Sequence, residues 1–158
     1  MDALVQSQQI SFNTLALRYQ DDAYTLAYYL LGDDARAAGA TQAAFDRIFR
    51  RGSVPQNRFR VEVLRGVLQS VRAGESARSS RPARHSRPAQ LAQAAGDALS
   101  RLLLRLRSDD RSALVLVDVL GLGYREASQV LGCSERELAR RLGRARFSLA
   151  RAASAPAV

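Results

Sequence analysis

The sequence predicts an all-α protein made of two small helical domains joined by a flexible linker. Apolar residues recur at helical three- and four-residue intervals on both sides of the middle of the chain. Between the two helical parts, residues 73–90 contain two Pro, four Ser and four Arg and no large apolar residue. The length of 158 residues is enough for two domains of about 60 to 70 residues each.

Charge and composition favour nucleic acid as the partner. All 24 basic residues are Arg, the net charge is +9 and the pI is near 11.0, which favours binding to a polyanion. A membrane surface is the competing partner, but no stretch combines a basic face with Trp or Phe anchors, and no apolar run approaches a bilayer span. The N-terminus does not resemble a signal peptide. We therefore expect a cytoplasmic, nucleoid-associated protein without membrane insertion.

No grouping of residues predicts catalysis or cofactor binding. The sequence lacks a phosphate-binding glycine loop, a Ser nucleophile elbow and metal-ligand spacings. The single Cys133 excludes an internal disulfide, and the single His85 has no ligand partners near it in the sequence. We expect neither an enzyme nor a cofactor nor a metal site.

Residues 1–72 are predicted to form a bundle of three helices. The first is expected at residues 11–31, with Ser11 as its N-cap, and the others at 34–51 and 58–72. Gly32 is the expected stop of the first helix. The second helix is small and apolar at its start, so that it can approach a neighbour closely, and aromatic at its end. Its predicted buried face consists of Ala37, Ala40, Ala44, Phe45, Ile48 and Phe49.

The segment 73–96 is predicted to be a basic linker. Because it cannot bury a core, it serves either as a positively charged tether that follows a polyanion or as a solvated spacer. Residues 97–158 then predict a domain of four further helices. Eleven Arg and six acids in residues 99–158 give a net charge of +5, so the basic excess of the chain lies mainly in this domain.

The last two helices, within residues 121–151, predict a helix-turn-helix. Gly132 and Cys133 supply the turn, and Ser134 with Glu137 three residues later fits a capping box at the start of the second helix. On a helical wheel this second helix has a narrow buried seam and an arginine stripe opposite it. The seam contains Leu138, Leu142, Ala145 and Leu149, and the stripe contains Arg136, Arg140, Arg144 and Arg151.

An arginine-striped second helix after a glycine turn suits entry into a DNA major groove. The alternative interpretation is an amphipathic helix with a solvated basic face. Because that face carries almost no acid to balance its arginines, the pattern favours DNA binding.

The order of helical bundle, polar linker and basic helix-turn-helix resembles the bacterial RNA polymerase sigma factors of the extracytoplasmic-function type. The resemblance spans about residues 11–151 and is strongest in the C-terminal domain, called region four in that family. There the similar residues are Tyr124, Glu126, Leu-Gly-Cys-Ser at 131–134, Arg141, Leu142 and Arg-Ala-Arg at 144–146. In the N-terminal domain, region two, they are Leu31-Gly32-Asp33, Ala37, Gln42, Phe45, Arg50-Arg51 and Phe59-Arg60.

The resemblance implies a protein that directs RNA polymerase to specific promoters to initiate transcription. Region four would bind the upstream promoter element and the polymerase flap, and region two would bind the clamp helices of the polymerase core and the downstream element. The implied DNA contacts are Arg125, Ser134, Arg136, Glu137, Arg140, Arg141, Arg144 and Arg146, with Arg58, Arg60, Arg65 and Arg72 in region two. The implied polymerase contacts are Gln42, Phe45, Asp46 and Phe49. An anti-sigma protein stays open as a further partner.

Region two also departs from the family where the family contacts polymerase and DNA. Ala38, Gly39 and Ala43 stand where the family has acids, and Glu62 stands where it has a Trp. These differences favour an alternative hypothesis, a sigma-like DNA-binding adaptor or regulator that does not initiate transcription itself.

Overall fold

The structure, a computed structural model, describes residues 2–52, 54–79 and 98–154. Over these ranges the chain forms seven α-helices and no β-strand, which confirms the predicted all-α class. The N-terminal helices are α1 (Asp2–Leu31), α2 (Asp34–Arg51) and α3 (Gln56–Ser79). The C-terminal helices are α4 (Ala98–Leu104), α5 (Ser108–Leu114), α6 (Tyr124–Leu131) and α7 (Glu135–Ser154).

The first and third helices are longer than the sequence predicted. α1 begins at Asp2, so Ser11 lies inside the helix and does not cap it. α3 continues to Ser79, so residues 73–79, which the prediction placed in the linker, are helical. Composition was misleading here because Ala, Glu and Arg form helices well without burying a core. The rest of the predicted linker, residues 80–96, lies outside the described residues.

The N-terminal bundle is closely packed where α2 crosses α3. A Cβ atom added to Gly66 of α3 would lie 3.1 Å from the Cβ of Ala44 on α2. The small residues of α2 therefore permit the close approach that the sequence predicted. The prediction that Phe49 is buried was wrong, since its side chain is 54% exposed. It follows Ile48 by one residue, a rotation of about 100° that turns it away from the buried face.

The C-terminal domain contains a π-helical turn between α5 and α6. The turn spans Val115–Val119, and the Leu120 N–H donates to the Val115 carbonyl at 2.9 Å. Gly121, with φ of +69°, then leads the chain into α6. Such turns insert one extra residue into a helix. Here the turn contains Asp118, which contacts α7.

The two domains lie in direct contact. α3 packs against α6, and α1 packs against α4 and α5. Gly32, with φ of +64°, ends α1 as predicted and lies under Leu104 of α4. A Cβ at Gly32 would lie 2.5 Å from Leu104 Cδ1. The glycine thus provides both a left-handed helix end and the space that Leu104 occupies.

Candidate nucleic-acid interface

The helix-turn-helix forms at α6 and α7. Gly132 ends α6 with φ of +66°, a left-handed conformation that glycine adopts without strain. Ser134 caps α7, because its hydroxyl oxygen accepts a hydrogen bond from the Glu137 N–H at 3.2 Å. Leu138 and Leu142 of α7 are buried, as the predicted seam requires. The turn and the buried seam thus fix how α7 is presented to solvent.

Glu137 leaves the predicted capping box half formed. Its carboxylate accepts from Arg141 Nε at 3.1 Å and from Arg140 Nη1 at 3.3 Å. The hydrogen bond from Arg141 is the main reason that the pKa of Glu137 lies below its ordinary value, and the bond from Arg140 adds to it. The carboxylate therefore orients two arginines along α7 instead of closing the cap.

Three exposed arginines form the outer edge of the helix-turn-helix. Arg125 lies in the first turn of α6, and Arg136 and Arg140 lie in the first half of α7. Arg125 and Arg136 form no ion pair with any residue that the structure describes, and Arg140 pairs only with Glu137 among those residues. This edge, Arg125, Arg136 and Arg140, therefore presents guanidinium groups that an external anion can reach.

Arg144 connects α7 to α5. Its Nη2 and Nε donate to the two carboxylate oxygens of Asp110, at 2.7 and 3.2 Å. These hydrogen bonds raise the pKa of Arg144. The Asp110 side chain is only 7% exposed, so the pair links the recognition helix to the interior of the domain. The guanidinium that the sequence assigned to DNA is thus already engaged within the chain.

Arg146 is engaged in the same way. It donates to both carboxylate oxygens of Asp118, at 2.6 and 3.0 Å, and this pair raises the pKa of Arg146. Arg141 lies 3.8 Å from Asp109 in addition to its bond with Glu137. The expectation that the basic face lacks balancing acids was therefore wrong. The acids come from α5 and the π-helical turn. Asp110 and Asp118 lie 34 and 28 residues before the arginines that they pair with, so no pattern within α7 could reveal them.

The four arginines predicted to contact DNA from α3 divide into two groups. Arg58 is exposed and forms no ion pair among the described residues. The other three reach the C-terminal domain. The contacts are Arg60 with Glu126 and the Leu120 carbonyl, Arg65 with the Gln129 carbonyl, and Arg72 with Asp109.

The residues predicted to bind polymerase lie together on the outer side of α2. Gln42 and Asp46 are exposed and joined by a hydrogen bond of 2.8 Å. Phe45 is partly buried, whereas Phe49 is exposed and packs edge-to-face against Phe12 with 5.3 Å between ring centroids. The structure therefore presents polar groups and one aromatic ring along a single helix.

One exposed aromatic residue was not singled out from the sequence. Phe147 on α7 is 64% exposed, and the Arg151 guanidinium carbon lies 5.9 Å from its ring centroid. Its position two residues before Leu149 places it outside the buried seam, which is the signal that could have identified it.

None of the described helices is both long and apolar enough to cross a membrane. Within the described ranges, no group of three His, Cys, Asp or Glu side chains is placed to hold a metal ion.

Comparison with known protein families indicates which class of domain the C-terminal helices form. Residues 96–149 match the family model for Sigma-70, region 4, which covers α4 to most of α7. A comparison with curated proteins finds no match. The C-terminal domain is therefore a sigma-70 region 4 domain, a DNA-binding module of transcription factors that are regulators rather than enzymes.

Three solved structures resemble the chain beyond this domain. CnrH, in complex with the cytosolic domain of CnrY, is 26% identical with a TM-score of 0.70, over 94% of this chain and 91% of that one. The extracytoplasmic function sigma factor SigJ of Mycobacterium tuberculosis is 28% identical with a TM-score of 0.57, over 87% of this chain and 52% of that one. The sigma factor RpoE of Bartonella quintana, in complex with the anti-sigma factor NepR, shares the fold at 18% identity with a TM-score of 0.55, over 94% of this chain and 95% of that one.

Together with the region 4 match, these likenesses support a sigma factor of the extracytoplasmic-function type. Such a factor directs RNA polymerase to promoters for the initiation of transcription.

Proposed function

We propose that this sigma factor recognises promoters with both domains. Residues 97–158 bind the upstream element by placing α7 in the major groove, and residues 1–72 bind the polymerase core and the downstream element. The observation that carries this proposal is the outer edge of the helix-turn-helix, where Arg125, Arg136 and Arg140 point away from the domain core. Such a row of guanidinium groups at the start of a recognition helix suits phosphates and guanine edges.

The arginines of the C-terminal domain have different roles in this proposal. Arg125, on the helix that crosses the DNA backbone, contacts phosphate. Ser134, Arg136 and Arg140 lie near the N-terminus of the recognition helix and face base edges, with Glu137 orienting Arg140. A second group supports the position of α7 and contacts phosphate only with the exposed parts of its side chains. That group is Arg141, Arg144 and Arg146.

Region two contributes the polymerase surface. Gln42, Asp46 and Phe49 project from one side of α2, and Phe45 lies beneath them. An exposed aromatic ring beside an amide and a carboxylate suits a protein interface. We infer that this side of α2 binds the clamp helices, while the C-terminal domain binds the flap.

We also infer a protein inhibitor as a partner. Two of the similar structures are complexes, one with the cytosolic domain of CnrY and one with the anti-sigma factor NepR. An anti-sigma protein that holds this chain in the cytoplasm, away from the nucleoid, fits these likenesses.

The proposal is tested by run-off transcription with core polymerase on a supercoiled promoter library. We expect transcripts with defined starts, and Arg136→Ala should reduce them about tenfold or more, since a good bidentate base contact contributes about 1–3 kcal/mol. The matched control is Arg101→Ala, an exposed arginine on α4 without an ion pair among the described residues. Equal loss in both variants would show that general positive charge, and not this edge, is responsible.

One observation favours the second candidate, a DNA-binding adaptor that does not initiate transcription. Arg60, Arg65 and Arg72 are used within the chain, and region two lacks the acids and the Trp expected of it. DNA binding by the full chain without transcripts from core polymerase would support this candidate and contradict the first.

A further inference from the structure

Phe147 lies on the side of α7 that faces away from the domain core. At about 100° per residue, it is turned by about 180° from the buried Leu138. Arg136 and Arg140, the two members of the exposed edge on α7, lie within about 20° of the same direction. We call this row of α7, Arg136, Arg140 and Phe147, the outer line. The aromatic ring is thus continuous with the arginines that the proposed function assigns to base edges.

The ring of Phe147 is exposed and lies beside a cation. Its side chain is 64% exposed, and the Arg151 guanidinium carbon lies 5.9 Å from the ring centroid. Because most of its apolar surface stays in water, the ring contributes little to the stability of the fold. It contributes more to a complex in which a partner covers it, and the neighbouring guanidinium favours a partner that is anionic.

Gly143 leaves an open place on the same side of α7, one turn before Phe147. A glycine inside a helix is less favourable than an alanine there. Apart from the backbone of its own helix, a Cβ atom at Gly143 would have no atom within 4 Å, so the packing of the described chain does not require the glycine. Glycine also permits a close approach of a bound ligand. The open place therefore suits an external surface that approaches α7 between Arg140 and Phe147.

The chemistry around the ring favours DNA as the partner. Residues 138–158 contain five arginines and no acid, so this part of the chain attracts a polyanion. The DNA major groove combines phosphates at its edges with one apolar group among its bases, the thymine methyl, which Phe side chains contact. A recognition helix that lies along the groove contacts bases over several turns and the backbone at its C-terminal end. An exposed ring followed by an arginine one turn later matches this order.

We propose that Phe147 is a specificity-determining residue that contacts the methyl group of a thymine in the upstream promoter element. This inference rests on the proposed function, because it takes α7 as the helix in the major groove. Phe147 follows Arg136 by about 16 Å along the helix axis, which corresponds to about five base pairs of DNA. The thymine therefore lies about five base pairs from the base that Arg136 contacts, and Arg151 contacts the adjacent phosphate.

The first experiment identifies the base. The full chain, with core polymerase present, selects duplexes from a library randomised over the upstream element, once unmodified and once as Phe147→Ala. We expect the unmodified chain to prefer thymine at one position and Phe147→Ala to lose that preference while the other positions keep theirs. Arg136→Ala should instead relax a position about five base pairs away. If Phe147→Ala selects the same sequences as the unmodified chain, the inference is wrong.

The second experiment removes only the methyl group. Deoxyuridine in place of the selected thymine keeps the hydrogen-bonding groups of the base and lacks its C5 methyl. The unmodified chain should bind the deoxyuridine duplex about fourfold more weakly, the factor expected for burial of one methyl-sized group. Phe147→Ala should bind the two duplexes equally. Deoxyuridine at a thymine outside the element is the control on the DNA side and should leave the affinity of both chains unchanged.

Leu17→Ala is the matched control on the protein side. It also removes an exposed large apolar side chain, 68% exposed on α1 of the other domain, and should keep the fourfold difference. Circular dichroism reports whether both variants stay helical. If folded Phe147→Ala keeps the fourfold difference, or if it weakens binding to core polymerase without DNA and leaves that difference intact, the ring does not contact thymine and the inference is wrong.

Arg136→Ala separates this inference from the proposed function. If Arg136→Ala weakens binding to the selected duplex while Phe147→Ala still distinguishes thymine from deoxyuridine, α7 reads DNA without Phe147 and only the inference fails. If neither substitution changes binding to that duplex, α7 is not the recognition helix, and the proposed function fails as well.

Discussion

Arg144 of α7 and Asp110 of α5 are joined by two parallel hydrogen bonds, although 34 residues separate them in the sequence. The carboxylate is nearly buried, whereas about half of the arginine side chain is exposed. The pair therefore joins α7 to a nearly buried carboxylate of the domain, while one side of the guanidinium still faces solvent. A phosphate at that exposed side would add to the ion pair without replacing it.

Arg144→Ala should destabilise the chain by about 1–3 kcal/mol, because it leaves the Asp110 carboxylate desolvated and without its charged donor. The loss is expected to stay below that of a fully buried pair, since water can reach the vacated side. Urea denaturation followed by circular dichroism measures it. Arg136→Ala, which removes an exposed arginine without a described partner, should change the unfolding free energy by less than about 0.5 kcal/mol. Similar losses in the two variants would mean that the ion pair between Arg144 and Asp110 does not contribute to the free energy of unfolding.

Two glycines of α3, Gly66 and Gly74, should respond differently to substitution by Ala, because only Gly66 lies close to α2. Gly→Ala inside a helix normally stabilises it by about 0.5–1 kcal/mol. At Gly74 of α3, an added Cβ would have no atom within 4 Å, so Gly74→Ala should show this gain. At Gly66 the new methyl would lie 3.1 Å from Ala44 Cβ and 3.3 Å from its Cα, so the two helices must separate.

Gly66→Ala should therefore be less stable than Gly74→Ala by about 1–3 kcal/mol, the usual cost of overpacking. Thermal or urea unfolding of the two variants side by side gives the difference. If the two substitutions are equally favourable, the close approach of α2 and α3 is not a feature of the folded chain.

Local features of the fold could be predicted from the sequence, whereas contacts between distant segments could not. The seam of α7 and the turn at Gly132 depend on helical periodicity and on the backbone freedom of one residue, and both can be recognised within a short window. The extension of α3 to Ser79 was missed because a helix that packs few apolar side chains resembles a linker in composition.

The candidate interface also combines features that the sequence could predict with contacts that it could not. An arginine stripe is visible in the sequence, but whether each arginine is free depends on acids that the fold brings to it. Arg60 and Glu126 are 66 residues apart, and no spacing rule connects them. The sequence thus located the basic surface, and the three-dimensional arrangement separates the exposed edge from the arginines already paired.

Glu137 predicts a pH dependence of stability. Hydrogen bonds from Arg141 and Arg140 hold its pKa below the ordinary value of 4.5 in the folded chain. A carboxyl group with a lowered pKa stabilises the fold above its ordinary pKa, and this contribution is lost as the pH falls through the lowered value. Between pH 6 and pH 3, Glu137→Gln should therefore lose less stability than the unmodified chain.

Urea midpoints at several pH values measure this effect. Glu135→Gln is the control, because Glu135 is an exposed acid of the same turn that forms no ion pair with a described residue. It should lose as much stability on acidification as the unmodified chain. If Glu137→Gln is equally acid-sensitive, the contacts with Arg140 and Arg141 do not persist in solution.

Two arginines in the first turns of α3, Arg58 and Arg60, should differ in what their substitution by Ala weakens. One substitution should weaken DNA binding, and the other should lower the stability of the fold. Arg58 is exposed and has no ion-pair partner among the described residues, whereas Arg60 joins Asp22, Glu126 and the Leu120 carbonyl. Arg58→Ala should leave the unfolding free energy within about 0.5 kcal/mol and weaken promoter DNA binding. Arg60→Ala should cost roughly 1–2 kcal/mol of stability, because it leaves a half-buried carboxylate and a helix-end carbonyl without a donor.

Paired measurements of urea unfolding and DNA affinity distinguish the two residues. For Arg58→Ala we expect the log–log salt slope of DNA binding to become shallower by about 0.9, the value for one phosphate contact. For Arg60→Ala the free chain should be less stable while its salt slope does not become shallower, because that arginine already contacts Glu126 and the Leu120 carbonyl of the other domain. A stability loss at Arg58, or a shallower slope at Arg60 in the free chain, would contradict the separation of roles between these neighbours.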